Sequence, residues 1–192
     1  MAGAWDHISQ HGFRTAEQLI LAADLDDDAR QVLLNEPRRD HVELKVDGHT
    51  VMLRDQGALF ARKNWTTLLG DDLTVADWVQ MLNRRIYLFA STEPMNKMLD
   101  KYLPLDGAQD VITLSPGRVL DAARGKIEMA SRGVASVSKT GPQKSRTSFV
   151  SMWESPDRVP TEVTIVDGLT DISVVVYAVR HHKDGTREVL KG

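Results

Sequence analysis

One acidic residue stands where a carboxylate can take part in chemistry. Glu162 lies in the segment "VPTEVTIV", whose alternation of polar and apolar residues predicts a strand that begins at this position. A carboxylate placed there can stabilise positive charge that develops on a substrate. It can equally be an ordinary polar residue at the edge of a half-buried strand, and the sequence alone leaves both interpretations open.

Three arginines form a second chemical feature. Arg38 and Arg39 lie in "EPRRDH" and Arg54 lies in "VMLRDQGALF", on either side of a predicted hairpin. The planar guanidinium group offers donors in a fixed geometry that suits phosphate or carboxylate. We therefore expect these arginines to converge on an anionic ligand. The alternative is a set of surface ion pairs with Asp40 and Asp55.

Two histidines have the spacing of metal ligands. His7 and His11 are four residues apart, so a helix would place both side chains on one face. The sequence indicates no third ligand, and Gly12 follows at once. We therefore predict no metal site.

Sequence motifs for several other chemistries are missing. The sequence contains no phosphate-binding P-loop, no G-x-G-x-x-G, no G-x-S-x-G and no H-E-x-x-H. It also contains no cysteine, which excludes disulfides, a thiolate nucleophile and cysteine-ligated metal sites. Any covalent chemistry must use oxygen or nitrogen groups.

Length and composition are those of one globular domain. The chain has 192 residues, of which 42% are hydrophobic and 27% charged. It contains no apolar run long enough to cross a bilayer, and its first residues lack the basic and hydrophobic regions of a signal peptide. We therefore expect a cytoplasmic protein without membrane contact.

Charge is distributed unevenly along the chain. Residues 6–36 carry seven acids against two arginines, whereas residues 117–146 carry seven bases against two acids. Such a basic segment can attract a phosphate-rich ligand, so it is the predicted contact for a nucleic acid or protein partner. The alternative is a solvated loop whose lysines keep the chain soluble.

The first third of the chain is predicted to be mostly helical. One helix ends near Gly12, a second begins at a Thr15 cap, and a third stops before Pro37 because a residue that precedes proline avoids the helical region. The alternating segment that follows contains Asp47 and Gly48, a strong short signal for a hairpin turn.

Strands are predicted to concentrate in the later part of the chain. A helix capped by Thr74 precedes "RIYLFA", which we predict to be a buried strand, and the final strands are "TEVTIV" and "DISVVVYAVRHH". No internal repeat or linker interrupts this order. The sequence therefore predicts a single α+β domain over residues 1–192.

Five segments spread along the chain carry a resemblance. They are W-x-x-I-x-x-x-G-F at 5–13, "LRDQGAL" at 53–59, "DWVQMLNRRIYLF" at 77–89, "SRTSF" at 145–149 and "TEVTIVDGLTDI" at 161–172. Together they resemble a bacterial family of uncharacterised proteins, over nearly the whole chain. The layout of that family is in turn similar to the DarT-type ADP-ribosyltransferases, which implies an ADP-ribosyltransferase-like fold and NAD as a substrate.

The resemblance also implies roles for particular residues. In the transferases a glutamate at the start of a late strand is catalytic, and Glu162 in "TEVTIVDGL" stands in its place. An arginine after the first helices contacts the dinucleotide there, and "PRRDH" makes Arg39 or Arg38 the candidate. We predict Glu162 and Arg39 as catalytic residues, and Arg38, Arg54 and Tyr87 as NAD contacts.

One departure from the transferase pattern favours other functions. The aromatic-His-x-Thr segment expected before Trp5 is not among the preceding residues, so either the chain begins farther upstream or part of the nicotinamide-ribose pocket is lost. Two alternatives therefore stand beside a transferase that acts on nucleic acid or protein. One is an RNA 2′-phosphotransferase-like enzyme, and the other is a non-catalytic binding module that kept the fold.

Overall fold

Three helices and a hairpin form the N-terminal part of the protein, and two further sheets follow. The computed structural model describes residues 3–57, 65–130, 143–154 and 162–192. Its α-helices are α1 (Ala4–His11), α2 (Ala16–Ala22), α3 (Asp27–Asn35), α4 (Val75–Asn83), α5 (Thr92–Asp106) and α6 (Pro116–Ala122). Its strands are β1 (Val42–Val46), β2 (His49–Leu53), β3 (Arg85–Leu88), β4 (Ala108–Leu114), β5 (Ile127–Ala130), β6 (Phe149–Ser151), β7 (Glu162–Val166), β8 (Val175–His182) and β9 (Arg187–Lys191).

Side-chain caps set the starts of two predicted helices. The hydroxyl of Thr15 accepts a hydrogen bond from the backbone N–H of Gln18, whose side-chain oxygen accepts one from the N–H of Thr15. Thr74 and Asp77 form the same reciprocal arrangement at α4. The hydrogen bonds from Thr74 lower the pKa of Asp77 from its usual value to about 2. Both predicted caps are confirmed.

The predicted hairpin packs against α2 and forms an apolar cluster with it. β1 and β2 are antiparallel, and the turn between them uses Asp47 at φ 51° and Gly48 at φ 79°. Alternate hairpin residues pack against α2. The buried members of this cluster are Leu19, Ile20, Ala23, Leu44, Val46 and Leu53.

Two antiparallel sheets make up the rest of the fold. The strand order is β3-β7-β5-β6 in one sheet and β4-β8-β9 in the other. Ile127 and Ile165 of the first sheet share an apolar cluster with Val175 of the second, and α6 completes that cluster. On its opposite face, the four-stranded sheet packs against α4 through Phe149 and Trp78, whose ring centroids are 6.0 Å apart.

Several strands differ from the sequence expectation. β3 was expected to be buried throughout, but it is an edge strand, so Arg85 and Tyr87 share one face and Ile86 points to the apolar cluster. Three further strands, β5, β6 and β9, were not expected, because each is only three to five residues long and carries no clear alternation.

The architecture confirms the predicted fold class. The chain is a single α+β domain with a helical N-terminal third and a strand-rich C-terminal part. The ADP-ribosyltransferase-like label stays a prediction. None of the helices in the described ranges has the length and apolar character needed to cross a bilayer.

A backbone bridge joins α1 to the end of β7. Phe13 donates to the carbonyl of Leu169 at 2.7 Å, and Leu169 donates back to Phe13 at 2.8 Å. Gly12 permits this approach, since it has φ 75° and a Cβ there would lie 2.7 Å from the Leu169 carbonyl oxygen. The N-terminal helices are thereby fixed to the sheet that contains Glu162.

We predict that Gly12→Ala costs much more stability than a glycine substitution without this contact. Gly107 is the matched control because it has φ 79° but open space around its Cβ position. Gly107→Ala should lower the free energy of unfolding by about 1–2 kcal/mol from backbone strain alone, and Gly12→Ala by about 3 kcal/mol or more. Urea denaturation measures both, and equal losses would contradict the role given to the bridge.

Candidate functional site

Glu162 begins β7, one of the two inner strands of the four-stranded sheet. It is half-buried, and its Cα pairs with that of Ala130 on β5. Because side chains alternate along a strand, the registers place Glu162 on the same sheet face as Tyr87 of β3 and Glu128 of β5. This face is the one that α4 partly covers. Glu162 therefore lies at a boundary between helix and sheet rather than on an open surface.

A buried lysine interacts with Glu162. Lys144 is 5% exposed, and its backbone is fixed by hydrogen bonds to Leu68 and from Gly70, both 2.7 Å long. Burial lowers the pKa of Lys144, while the nearby Glu162 carboxylate acts in the opposite direction. Lys144 and Glu162 therefore interact electrostatically at this boundary between helix and sheet.

Tyr87 has a hydroxyl that bonds within the protein, although the residue as a whole is partly exposed. The hydroxyl donates a 3.5 Å hydrogen bond to the carbonyl of Leu82, although 38% of the residue surface is accessible. Burial of the hydroxyl end raises the pKa of Tyr87 above its ordinary value. Arg85 acts in the opposite direction, and Glu162 adds a smaller increase. Tyr87 and Glu162 thus share one electrostatic environment.

Arg85 belongs to the same face and was not singled out from the sequence. Its Nε donates to Glu128 Oε2 at 2.8 Å, and its guanidinium lies 3.9 Å from the ring centroid of Phe149. It also donates to the carbonyl of Met81. The alternation of Arg85 and Tyr87 in "RRIYLF" was the available signal. It was missed because β3 was expected to be buried on both faces.

Arg38 forms hydrogen bonds near the start of β3, at the end of this strand that lies away from Glu162. Its Nη1 donates to Asn83 Oδ1 at 2.9 Å, and its Nε donates to the backbone carbonyl of Arg54 at 3.3 Å. Burial lowers the pKa of Arg38. Asn83 precedes β3, whereas Glu162 lies beyond Leu88 in the pairing register. Glu162 is four residues, about 13 Å of strand, from Val166, which pairs with Arg85 at the start of β3.

Arg54 has both protein partners and an unused donor. Its Nη2 donates to Asp106 at 3.2 Å and Gln109 at 3.3 Å, and the guanidinium lies 3.9 Å from the ring centroid of Tyr102. Its Nη1 is buried and has no hydrogen-bond partner among the residues that the structure describes. Asp55, the expected ion-pair partner, instead lies 3.2 Å from His41.

The structure therefore divides the predicted site residues into two groups. Glu162 and Tyr87 share one face of the sheet, while Arg38 and Arg54 contact each other beside the end of α4. The Tyr87 hydroxyl lies between these groups, since it bonds the carbonyl of Leu82 in the last turn of α4. Arg39 follows Arg38 in the chain and is exposed. An extended ligand, rather than a compact one, would be needed to contact both groups.

Most of the described bases in the predicted basic segment are already engaged. Arg118 donates to the carbonyl of Ser173 at 2.7 Å, Arg146 pairs with Asp77 at 3.1 Å, and Lys144 is buried. Residues 131–142 of this segment lie outside the described residues.

A second group of polar side chains lies where α1 contacts the hairpin turn. We call it the histidine cluster, and its members are His7, His11, Asp47 and His49. The ring centroids of His7 and His11 are 4.8 Å apart. The ring centroid of His49 lies 5.7 Å from that of His7 and 5.6 Å from that of His11. The sequence predicted no metal site because α1 alone supplies two ligands. The hairpin adds the other two members, which are close only after folding.

Charged neighbours shift the pKa values of two members of this cluster. Arg14 donates to Asp47 Oδ2 at 2.6 Å, and this hydrogen bond lowers the pKa of Asp47. Burial lowers the pKa of His7, and Arg14 acts in the same direction. An open groove of about 500 Å³ runs beside the cluster and is bordered by His11, Arg14 and Asp47 together with residues 167–170.

The fold and site define an antiparallel α+β protein with a carboxylate at the start of an inner strand of its four-stranded sheet. Residues 1–176 match the model described as "Family of unknown function (DUF7002)", so the chain belongs to that family. The match contains Glu162, all three candidate arginines and the histidine cluster. No curated protein and no solved structure matches the chain. Function must therefore be argued from the site itself.

We predict that Tyr87 gives stability a dependence on alkaline pH. Its folded-state pKa lies above the unfolded value near 10, so unfolding releases its proton as pH rises past about 10. The stabilising contribution is complete below that pH and declines above it. Urea unfolding of wild type and Tyr87→Phe should give a constant difference from pH 7 to 9 and a growing loss for wild type alone above about pH 10. Parallel curves over the whole range would contradict this environment for the hydroxyl.

Proposed function

We propose that this protein binds NAD and transfers ADP-ribose to a nucleic acid or protein, with Glu162 as the catalytic carboxylate. The observation that carries the proposal is the position of Glu162, half-buried at the first residue of the inner strand β7, where it interacts electrostatically with the buried Lys144. Charged groups with perturbed pKa values inside a protein boundary are concentrated at functional sites.

A carboxylate at the start of β7 suits the transfer of ADP-ribose from NAD. Cleavage of the bond between nicotinamide and ribose leaves positive charge on the sugar and neutral nicotinamide as the leaving group. A carboxylate that accepts a hydrogen bond from a ribose hydroxyl stabilises that charge and can orient the acceptor nucleophile. Glu162 fills this role. The acceptor nucleophile then forms the new bond at the same ribose carbon and gives up its proton to the carboxylate or to water.

The arginines supply the contacts for the remainder of the dinucleotide. Arg54 retains a buried guanidinium nitrogen without a hydrogen-bond partner among the described residues, and a phosphate oxygen would satisfy it. Arg38 contacts the Arg54 backbone, and the adjacent Arg39 is exposed. NAD is an extended molecule whose pyrophosphate lies between two nucleosides, so Glu162 and Arg54 would contact different parts of one ligand. Tyr87 lies on the Glu162 face and would border the nicotinamide ribose.

We predict that Glu162→Gln lowers NAD cleavage by a factor of about 10² to 10³, because glutamine keeps the shape and loses the charge. Glu43→Gln is the control, since Glu43 is also a strand glutamate but is 53% exposed and lies on the hairpin. Nicotinamide release is measured with DNA, RNA and protein acceptors present.

Equal rates for wild type and Glu162→Gln would remove the catalytic role. No turnover by wild type, combined with NAD binding, would favour the non-catalytic binding module. Activity restricted to RNA with a 2′-phosphate, and absent with unmodified RNA, would favour the 2′-phosphotransferase alternative.

We predict that Arg54→Lys weakens NAD binding without removing the positive charge next to Asp106. A ligand that binds only the folded state stabilises it by about 2.7 kcal/mol at a hundredfold excess over Kd. Wild type should therefore show a rise in Tm with NAD, and Arg54→Lys a smaller rise at equal concentration. Arg30→Lys is the control, because Arg30 also bonds one aspartate, Asp27, and one carbonyl. A flat titration of wild type to millimolar NAD would contradict the proposal.

A further inference from the structure

We propose that the histidine cluster is a metal site for one divalent first-row transition ion. His7, His11 and Asp47 are its ligands, and His49 lies close enough to supply a fourth. One ligand atom from each of the first three residues lies within 4.8 Å of the other two. This proposal does not depend on the NAD chemistry, because it concerns different residues on α1 and the hairpin.

His7 provides an observation beyond proximity. The residue is only 3% exposed, yet its Nε2 is buried and has no hydrogen-bond partner within the described part of the chain. A buried polar atom left in this state costs roughly 1–3 kcal/mol. Coordination of a cation would satisfy that nitrogen, and the three surrounding side chains are all metal-ligating types.

Only small side-chain movements would bring the ligand atoms to the separations found around a bound ion. Four ligands at about 2.0–2.1 Å from a tetrahedral ion are roughly 3.3 Å apart from one another. His11 Nδ1 and Asp47 Oδ2 are already 3.9 Å apart. Rotations of the side chains would close the remaining gaps, and the ring of His49, with its centroid 5.6 Å from that of His11, is near enough to follow.

The hairpin turn and Arg14 hold the carboxylate ligand in place. Asp47 has φ 51° and Gly48 φ 79°, so the tight turn fixes the direction in which the aspartate leaves the backbone. Arg14 donates to Asp47 Oδ2 at 2.6 Å. Metal-bound carboxylates are commonly oriented by a hydrogen bond of this kind from a second residue.

The donor set selects the class of metal. Imidazole nitrogens suit zinc, copper, nickel, cobalt and iron, whereas magnesium and calcium prefer oxygen ligands. Two or three imidazoles and one carboxylate therefore indicate a first-row transition ion. The groove beside His11 and Asp47 leaves the site accessible to solvent, so an ion can enter without unfolding of the chain.

The test uses the full chain without a polyhistidine tag, and the probes are Zn²⁺, Co²⁺ and Mg²⁺. Wild type should bind one Zn²⁺ or Co²⁺ per chain by calorimetry, show a visible Co²⁺ absorption spectrum of nitrogen–oxygen coordination, and gain Tm with Zn²⁺ but not with Mg²⁺. Asp47→Asn and His11→Gln should each weaken Zn²⁺ binding by at least about 10- to 100-fold.

Two closely matched variants serve as controls. Asp167→Asn changes another aspartate in a left-handed turn before glycine, at φ 57° and paired with Arg84 at 2.8 Å. His182→Gln changes a histidine that lies 4.0 Å from a carboxylate oxygen of Glu188, close to the 3.9 Å of the His11–Asp47 pair. Both controls should bind Zn²⁺ as wild type does, and circular dichroism without metal checks that each variant is folded.

Three results would overturn the proposal. They are the lack of stoichiometric Zn²⁺ or Co²⁺ binding by wild type, unchanged affinity in folded Asp47→Asn and His11→Gln, and an equal loss of affinity in the control variants. Any of these would leave the cluster as packed histidines with an ordinary ion pair between Asp47 and Arg14.

Discussion

The two-way backbone bridge between Phe13 and Leu169 is the contact on which the arrangement of this protein depends. It connects the end of α1 to the turn that follows β7, two segments more than 150 residues apart. Close approach of the two chains is possible because Gly12 lacks a side chain and adopts positive φ. The N-terminal helices are thereby attached to the strand that begins with Glu162.

The two candidate sites lie on opposite sides of this connection. β7 begins at Glu162, beside Lys144 and Tyr87, and ends near the bridge to α1. On the other side of the bridge, α1 places its histidines against the hairpin turn. A metal ion bound there would join α1 to the hairpin and so strengthen the attachment of the N-terminal part to the sheets.

The face of the four-stranded sheet that carries Glu162 is polar where α4 covers it. Arg85 pairs with Glu128 under Phe149, and Lys144 lies near Glu162, so charged groups occupy positions that a purely structural interface would fill with apolar side chains. Removing one partner of the Arg85–Glu128 pair would leave the other charge partly buried without compensation, which destabilises the fold. We interpret this polar layer as a functional constraint on the sheet face.

The sequence by itself determined the local elements. Thr15 and Thr74 cap their helices because a hydroxyl can accept the free N–H groups of a first turn, and Asp47-Gly48 forms a turn because both residues tolerate positive φ. Periodicity likewise predicted the α+β class. It could not show that β3 is an edge strand, or detect the short strands β5, β6 and β9, because their places are decided by pairing with distant segments.

The sequence also located Glu162 at the head of a late strand, but it could not say which side chains would surround that carboxylate. Lys144, whose backbone forms a parallel bridge with Leu69, interacts with it electrostatically, and Arg38 and Arg54 meet at the other end of β3 rather than beside Glu162. The histidine cluster shows the same limit, since a helix supplies His7 and His11 but the hairpin brings Asp47. Spacing along a chain fixes which residues share one element, whereas contacts between elements depend on the packing of the whole core, and only the tertiary structure contains that information.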